Sequence, residues 1–229
     1  INTATNTVGA TIPIGDVPVG VCISRDGTRA YVTNSADGTV SVLNTATNSI
    51  LATILVGVSP GGIAVSPDGG RVYVANSISY TVSVINTATN SVIATIGTGA
   101  NPAGVVVSPS GDRAYVTNFG SNNVSVINTA TNTVLTTVGV GDGPSGISIA
   151  PNGGRVYVSN NTPSTVSVIN TATNVVVATI SASNKPYGNS VTPDGSRLYV
   201  ANYNSGIISA TSTATNAGIG AVGLGSSGP

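Results

Sequence analysis

Tyr31-Val-Thr-Asn34, Tyr73-Val-Ala-Asn76, Tyr115-Val-Thr-Asn118, Tyr157-Val-Ser-Asn160 and Tyr199-Val-Ala-Asn202 follow one another at an unbroken spacing of 42 residues. The same period carries Asn-Thr-Ala-Thr-Asn, which begins at Asn2, Asn44, Asn86, Asn128 and Asn170 and recurs as Ser-Thr-Ala-Thr-Asn from Ser212. No net insertion or deletion has entered any unit. A period of this length marks stacked copies of one supersecondary unit, none of which can bury its apolar faces alone.

Within residues 18–60 the side chains alternate with a period of two, the pattern of strands that send successive residues to opposite faces. Four short strands are expected, at Gly20–Ser24, Arg29–Asn34, Thr39–Leu43 and Ile50–Val56. The first turn, Arg25-Asp26-Gly27, reads Pro67-Asp68-Gly69 and Pro193-Asp194-Gly195 in other copies, a tight-turn signature. Thr45-Ala-Thr-Asn48 makes another turn, and Gly57 and Pro60 open the next copy. No stretch carries a 3.6-residue apolar period, so helix is not expected. Four antiparallel strands per 42 residues, with Val and Ile on both phases of the alternation, predict blades stacked face to face. The expected fold is all-β: a five-bladed β-propeller of four-stranded blades forming a single domain, with repeats starting near 18, 60, 102, 144 and 186. A parallel β-helix is the main rival; its coils are usually shorter, and the hairpin-length loops here favour the propeller.

Composition narrows the function classes. Acidic and basic residues balance at seven each and charged residues make up 6% of the chain, so no long-range field recruits nucleic acid or an anionic membrane. Solubility must come from neutral Ser, Thr and Asn groups, which suits an extracellular or cell-surface location. No run is long enough to span a bilayer; the chain starts without Met or a signal-type segment, as a processed or excised piece would. Cys22 is the only cysteine, which excludes an internal disulfide and a thiolate-rich metal site, and it reads as a small buried apolar residue. There is no His, and all seven acids are Asp. The usual neutral-pH proton shuttle is missing, and no Ser-His or Cys-His constellation can form. No catalytic residue, metal site or cofactor is expected.

Ser66-Pro-Asp-Gly69, Tyr73-Val-Ala-Asn76, Thr81-Val-Ser-Val-Ile-Asn86 and Thr87-Ala-Thr-Asn90, repeated along almost the whole chain, resemble the YVTN family of β-propeller repeats found in archaeal surface-layer and bacterial surface proteins. The resemblance implies a surface or secreted scaffold. Family members are commonly seven-bladed, whereas five copies are present, so the ring either is truncated or closes with five blades. A strand order resembling that of WD-repeat propellers makes Thr7–Ile14 an orphan outer strand, expected to complete the last blade as a clasp that closes the ring. The glycine-rich segment Ala217–Leu224, within residues 217–229, is then an added edge strand or tether. A spare strand also allows strand-mediated self-association.

Comparing the copies separates scaffold from specialised surface. The Asp-Gly and Thr-Ala-Thr-Asn turns share one rim and hardly change, as backbone devices should; Arg29, Arg71, Arg113, Arg155 and Arg197 cover that rim. Variation gathers on the opposite rim, where recognition is expected to sit. Blade five departs most. Lys185, Tyr187, Asn189 and Tyr203 are the candidate ligand-binding residues, because an aromatic pair beside amide and ammonium donors can stack on a sugar and bond its hydroxyls. Asp16 and Asp142 fall short of a calcium shell. The sequence thus predicts a non-catalytic scaffold or adhesion propeller whose partner is a protein or glycan. The alternatives are a lectin-like propeller and a propeller enzyme of lactonase or lyase type. Asn123-Val-Ser125 and Asn160-Asn-Thr162 match glycosylation sequons.

Overall fold

The computed structural model describes residues 2–224. Blade one contains β1 (Pro18–Ile23), β2 (Arg29–Asn34), β3 (Thr39–Asn44) and β4 (Ser49–Leu55). Blade two contains β5 (Pro60–Val65), β6 (Arg71–Asn76), β7 (Thr81–Asn86) and β8 (Ser91–Gly97). Blade three follows with β9 (Pro102–Val107), β10 (Arg113–Asn118), β11 (Asn123–Asn128) and β12 (Thr133–Gly139). Blade four has β13 (Pro144–Ile149), β14 (Arg155–Asn160), β15 (Thr165–Asn170) and β16 (Val175–Ser181), and blade five has β17 (Pro186–Val191), β18 (Arg197–Asn202), β19 (Ile207–Ser212) and β20 (Gly218–Gly223). Each blade is a four-stranded antiparallel sheet with its strands in chain order, and the described residues contain no helix. The fold is the expected five-bladed β-propeller, and each repeat begins at the proline of its first strand.

Local chemistry sets the turns. The first Asn of Asn-Thr-Ala-Thr-Asn closes its own turn: Asn44 Oδ1 accepts from the amides of Ala46 at 2.9 Å and Thr47 at 3.0 Å. The last Asn supplies the left-handed residue, with Asn48, Asn90, Asn132, Asn174 and Asn216 all at φ between 50° and 57°. The Asn of the tetrapeptide has another task. Buried Asn76 Nδ2 donates to Thr81 Oγ1 at 3.1 Å and Ser83 Oγ at 2.9 Å, clamping the end of β6 to β7. Asn34 and Asn160 do the same in their blades. Register shifts recur in the first and last pairings, between Pro18 and Val21 in β1 and between Val42 and Leu43 in β3, as bulges that add twist to each sheet.

The core lies between blades. The tetrapeptide tyrosine of one blade is covered by the next: Tyr31 packs with Ile63, Val65, Val72, Val74 and Ile85, and Tyr157 packs with Val191, Leu198 and Val200. An arginine bond runs beside the tyrosine in each of the first four blades. Nη1 of Arg29 donates to the Thr87 carbonyl at 2.7 Å, that of Arg113 to Thr171 at 2.6 Å, that of Arg155 to Thr213 at 2.8 Å, and Arg71 likewise to Thr129. The innermost strands make the closest approach, because a Cβ on Gly62, Gly104 or Gly146 would collide with the carbonyl oxygen of Ala103, Ser145 or Tyr187 in the next blade.

The clasp does not form. Thr7–Ile14 belongs to no strand, and its neighbourhood holds only an isolated bridge from Asn2 to Thr7. Gly218–Gly223 takes the outer position of blade five and pairs with β19 from Ile207↔Gly223 to Thr211↔Gly218. The segment expected as an added edge strand or tether is thus the fourth strand of blade five; its residues 225–229 lie outside the described residues. Closing a short hairpin costs far less chain entropy than returning a strand from the opposite terminus, and this offsets the glycine penalty of about 0.5–1 kcal/mol per residue. Innermost strands pack in the series β1, β5, β9, β13, β17, and no comparable contact joins β17 to β1. Tyr199 is accordingly 37% exposed where Tyr115 is 1% exposed, and Val21 and Ile23 at the other end are 65% and 57% exposed.

This asymmetry is measurable. Tyr115→Ala is expected to cost about 3–5 kcal/mol, as for other buried aromatics, and Tyr199→Ala less than half of that. Urea midpoints of both variants at low micromolar concentration check the difference; equal losses would mean that Tyr199 is covered.

Candidate recognition rim

The two rims of the propeller are built differently. On the turn rim, the two turns of each blade are tied together: Thr45 Oγ1 donates to the Gly27 carbonyl at 2.5 Å, Thr87 to Gly69 at 2.7 Å and Thr171 to Gly153 at 2.7 Å. Carboxylates close the Asp-Gly turns. Asp26 accepts from Ser24 Oγ at 2.6 Å and Thr28 N at 3.1 Å, and Asp194 from Thr192 Oγ1 at 2.5 Å and Ser196 N at 3.0 Å. Hydroxyl donors first, then turn amides, hold Asp26, Asp68 and Asp194 below the ordinary carboxylate range, Asp194 at about 2; Ser110 and Ser108 do the same for Asp112. Clefts of about 510, 250, 200 and 290 Å³ lie between successive blades on this rim. The first is lined by Arg25, Asp26, Arg29, Tyr31, Pro67 and Thr87. Their arginines are engaged by backbone carbonyls, Arg25 by that of Pro67 and the others by those of threonines, and their aspartates by the turns, so these clefts are products of the interblade packing.

The variable rim has varied side chains on a constant backbone. The residue before each blade's first proline is left-handed whatever its identity: Val17, Ser59, Asn101, Gly143 and Lys185 have φ between 52° and 64°. So is the residue before each third strand, Gly38, Tyr80, Asn122, Ser164 and Gly206, at φ between 53° and 66°. Five-fold recurrence makes this conformation a feature of the scaffold. Side-chain staples brace the first three blades: Asp16 N to Asp37 Oδ2 at 2.8 Å, Val58 N to Ser79 Oγ at 2.7 Å and Ala100 N to Ser121 Oγ at 2.7 Å. The loop that enters blade four is held instead by Asn122 of blade three, which accepts from Gly143 N at 3.0 Å and donates to Asp142 Oδ1 at 2.9 Å.

Blade five brings three of the four candidate residues to one patch. The amide of Tyr203 donates to the Lys185 carbonyl at 2.8 Å, joining the two loops. Tyr187 sits at the bulge of β17, between Pro186 and Gly188, and its carbonyl accepts from Ser145 Oγ at 2.9 Å. Backbones are fastened here while side chains are free: Tyr187 is 63% exposed, Tyr203 is 79% exposed, and Lys185 is exposed. Asn189 is placed elsewhere. Its Oδ1 accepts from Ser148 Oγ at 2.5 Å, and its Nδ2 donates to Ser159 Oγ at 2.8 Å and the Gly146 carbonyl at 3.1 Å. It replaces the Val or Ile of other blades because blade four presents hydroxyls at the facing positions. Ser148 and Ser159 are legible in the sequence as polar partners for Asn189, and that signal separates Asn189 from the rim.

The sequons are also occupied: Asn160 Nδ2 donates to Thr165 and Ser167, and Asn123 Oδ1 accepts from Asn118 Nδ2 at 2.7 Å. Among the described residues no three acidic, His or Cys side chains gather as a metal site. Half-buried Cys22 packs against the cluster between blades one and two, and desolvation pushes its thiol up to about 12.

A family model described as YNCE-like beta-propeller matches residues 7–124, more than half of the chain, and one described as lactonase, 7-bladed beta-propeller, matches residues 128–223. Curated proteins give no match. Among solved structures, Kuenenia stuttgartiensis hydrazine synthase superposes with a TM-score of 0.73 at 21% identity, over 90% of this chain and 80% of that one. A functionally unknown protein from Desulfotomaculum acetoxidans DSM 771 superposes with a TM-score of 0.84 at 18% identity, over 93% of this chain and 72% of that one. At these identities the likeness is one of fold.

The titrating groups predict an unusual pH profile. Turn aspartates with lowered pKa stabilise the fold above the ordinary carboxylate range, and that contribution is lost as pH falls from about 4 toward 2. Cys22 and the buried Tyr31, Tyr73 and Tyr115 are shifted upward by desolvation, so alkali ionises the unfolded chain first and stability drops as pH rises above about 9. With no histidine between, melting temperature is expected to stay flat from about pH 5 to 8. A transition near pH 6.5 in thermal melts would contradict this.

Proposed function

Because the chain belongs to the YNCE-like β-propeller family, we propose that it works as a non-catalytic scaffold or adhesion module at the cell surface or outside the cell, offering the blade-five rim to a glycan or protein. The carrying observation is the pair of free tyrosine rings, Tyr187 and Tyr203, beside Lys185 on loops whose backbones are hydrogen-bonded in place. Rings held this way stack on the apolar face of a sugar or against a flat partner surface with little loss of side-chain freedom. The low charge of the chain, with solubility carried by Ser, Thr and Asn, supports an extracellular setting. The tetrapeptide repeats support a YVTN-type, surface-layer-like role.

A lectin-like function is the narrower form of the same reading. The enzyme alternative draws on the lactonase match over residues 128–223. Opening a lactone needs an activated water and a stabilised oxyanion. Of the rim carboxylates, Asp37 is bonded to a backbone amide and Asp142 to Asn122, which favours bracing over catalysis.

A glycan array probed with the chain and with Tyr187→Ala/Tyr203→Ala tests the reading. Binding to a subset of glycans is expected, weakened about tenfold or more in the double variant, since each lost stacking contact is worth about 0.5–1.5 kcal/mol beyond its buried area. Turnover of a lactone panel that disappears in Asp16→Asn or Asp142→Asn would transfer the assignment to the enzyme class.

A further inference from the structure

The first turn of blade four differs chemically from its counterparts. It is built on Asn152, where blades one, two and five have Asp26, Asp68 and Asp194, and Asn152-Gly153 is the only Asn-Gly pair in the chain. Two residues earlier stands Ala150, where the other blades carry the hydroxyls of Ser24, Ser66, Ser108 and Thr192. In blade two such a hydroxyl binds the turn side chain, Ser66 Oγ donating to Asp68 Oδ1, and blade four has no donor for this. Asn152 is exposed, its Oδ1 accepts from Gly154 N at 2.9 Å, and among the described residues nothing holds its Nδ2. The bond to Gly154 folds the side chain back along the main chain, which turns its carboxamide carbon toward the intervening Gly153 nitrogen. The hydrogen on that nitrogen points at the Ala150 carbonyl, 2.8 Å away, within the peptide plane, so it does not block approach to the nitrogen from outside the plane. Gly153 stands at φ 73° and has no side chain to shield the pair.

We propose that Asn152 is a self-modification site, whose side-chain amide the folded chain converts to a carboxylate through a cyclic imide closed by Gly153. Once hydroxide has taken its proton, the Gly153 nitrogen bonds to Asn152 Cγ; the Cγ–Nδ2 bond breaks, and Nδ2 leaves as ammonia with a proton from solvent. Water then opens the ring. Breaking the new bond from nitrogen to Cγ gives an aspartate at position 152, and breaking the original peptide bond gives an isoaspartate. The sum is amide plus water to carboxylate plus ammonia, with no change of oxidation state. The aspartate product suits the turn. A carboxylate there accepts from Gly154 N as Asp68 does from Gly70 N at 3.0 Å, and it stands beside Arg155 as Asp68 stands beside Arg71. Isoaspartate lengthens the main chain by one carbon, against both the bond from Gly153 to Ala150 and the contact of Gly153 with Pro109 of blade three. The aspartates of the sister turns do not take this route, because hydroxyl and amide donors hold them ionised, and a carboxylate anion resists attack by nitrogen. Conversion leaves the net-neutral chain with one extra negative charge, placed on the turn rim.

Peptide mass mapping of the folded 229-residue chain, aged at mildly alkaline pH, tests this. A gain of one dalton is expected at Asn152 before any other asparagine, with ammonia released in equal amount. Asn152→Gln, whose imide would need a larger ring, is expected to keep its mass over the same period. Asn152→Asp, the product itself, is expected to melt no lower than the wild type. A sample unfolded in urea sets the reference rate, and the native turn is expected to react at least as fast. No gain at Asn152 in the folded chain, a slower gain there than in urea, a gain that comes first at other asparagines, or an Asn152→Asp chain that melts lower would each overturn the proposal. The second of these results would mean that the turn protects the amide instead of presenting it.

Discussion

Everything in this molecule depends on one contact: the sheet face of one blade laid on the face of the next, with a tyrosine at its centre and an arginine-to-carbonyl bond at its rim. A single blade has no interior. Its valines and isoleucines project from both faces, and only a neighbour on each side removes them from water. The close approach of the innermost strands at Gly62, Gly104 and Gly146 follows from the same requirement, because radial stacking crowds the strands nearest the axis. The periodic residues therefore belong to the interface between units as much as to the units themselves.

That dependence accounts for where side chains are free to vary. The turn rim is occupied: hydroxyls, carboxylates and arginines there satisfy turn amides and carbonyls, and changing one disturbs an interface. On the other rim the backbone is equally constrained, with the same left-handed positions in every copy, and apart from staples such as Asp37, Ser79 and Ser121 its side chains differ from copy to copy. Blade five combines this freedom with two exposed aromatic rings, and the proposed recognition site is placed there for that reason. Its loops carry fewer side-chain staples than those of the first four blades, while Asn161 and Ser145 of blade four hold its carbonyls at Pro186 and Tyr187.

Much of this was legible in the sequence, because the information was local. Strand positions came within one or two residues, and Asp26-Gly27 and Asn44-Thr-Ala-Thr-Asn48 announced their turns through backbone chemistry that needs no tertiary partner. Two features were not. Which segment completes blade five was a contest between distant chain ends, and the glycine content of residues 217–224 argued for the wrong winner because it ignored the cheap closure of an adjacent hairpin. Asn189 was assigned to the rim because it broke a Val/Ile series, yet the reason for the break lay in Ser148 and Ser159 of the neighbouring blade. Both errors concern contacts in which residues far apart in the chain must be considered together.

The central claim is that cohesion resides at the four interblade interfaces and that the array has two uncovered ends. Hydrogen exchange resolved by residue, at a concentration low enough to keep the chain monomeric, tests it most directly. The account predicts the slowest amides in β6, β7, β10, β11, β14 and β15, with protection falling off toward β1 at one end and toward β17 and β18 at the other. Uniform protection of equivalent strands in all five blades would contradict it, since only a ring closed on itself gives every blade two neighbours.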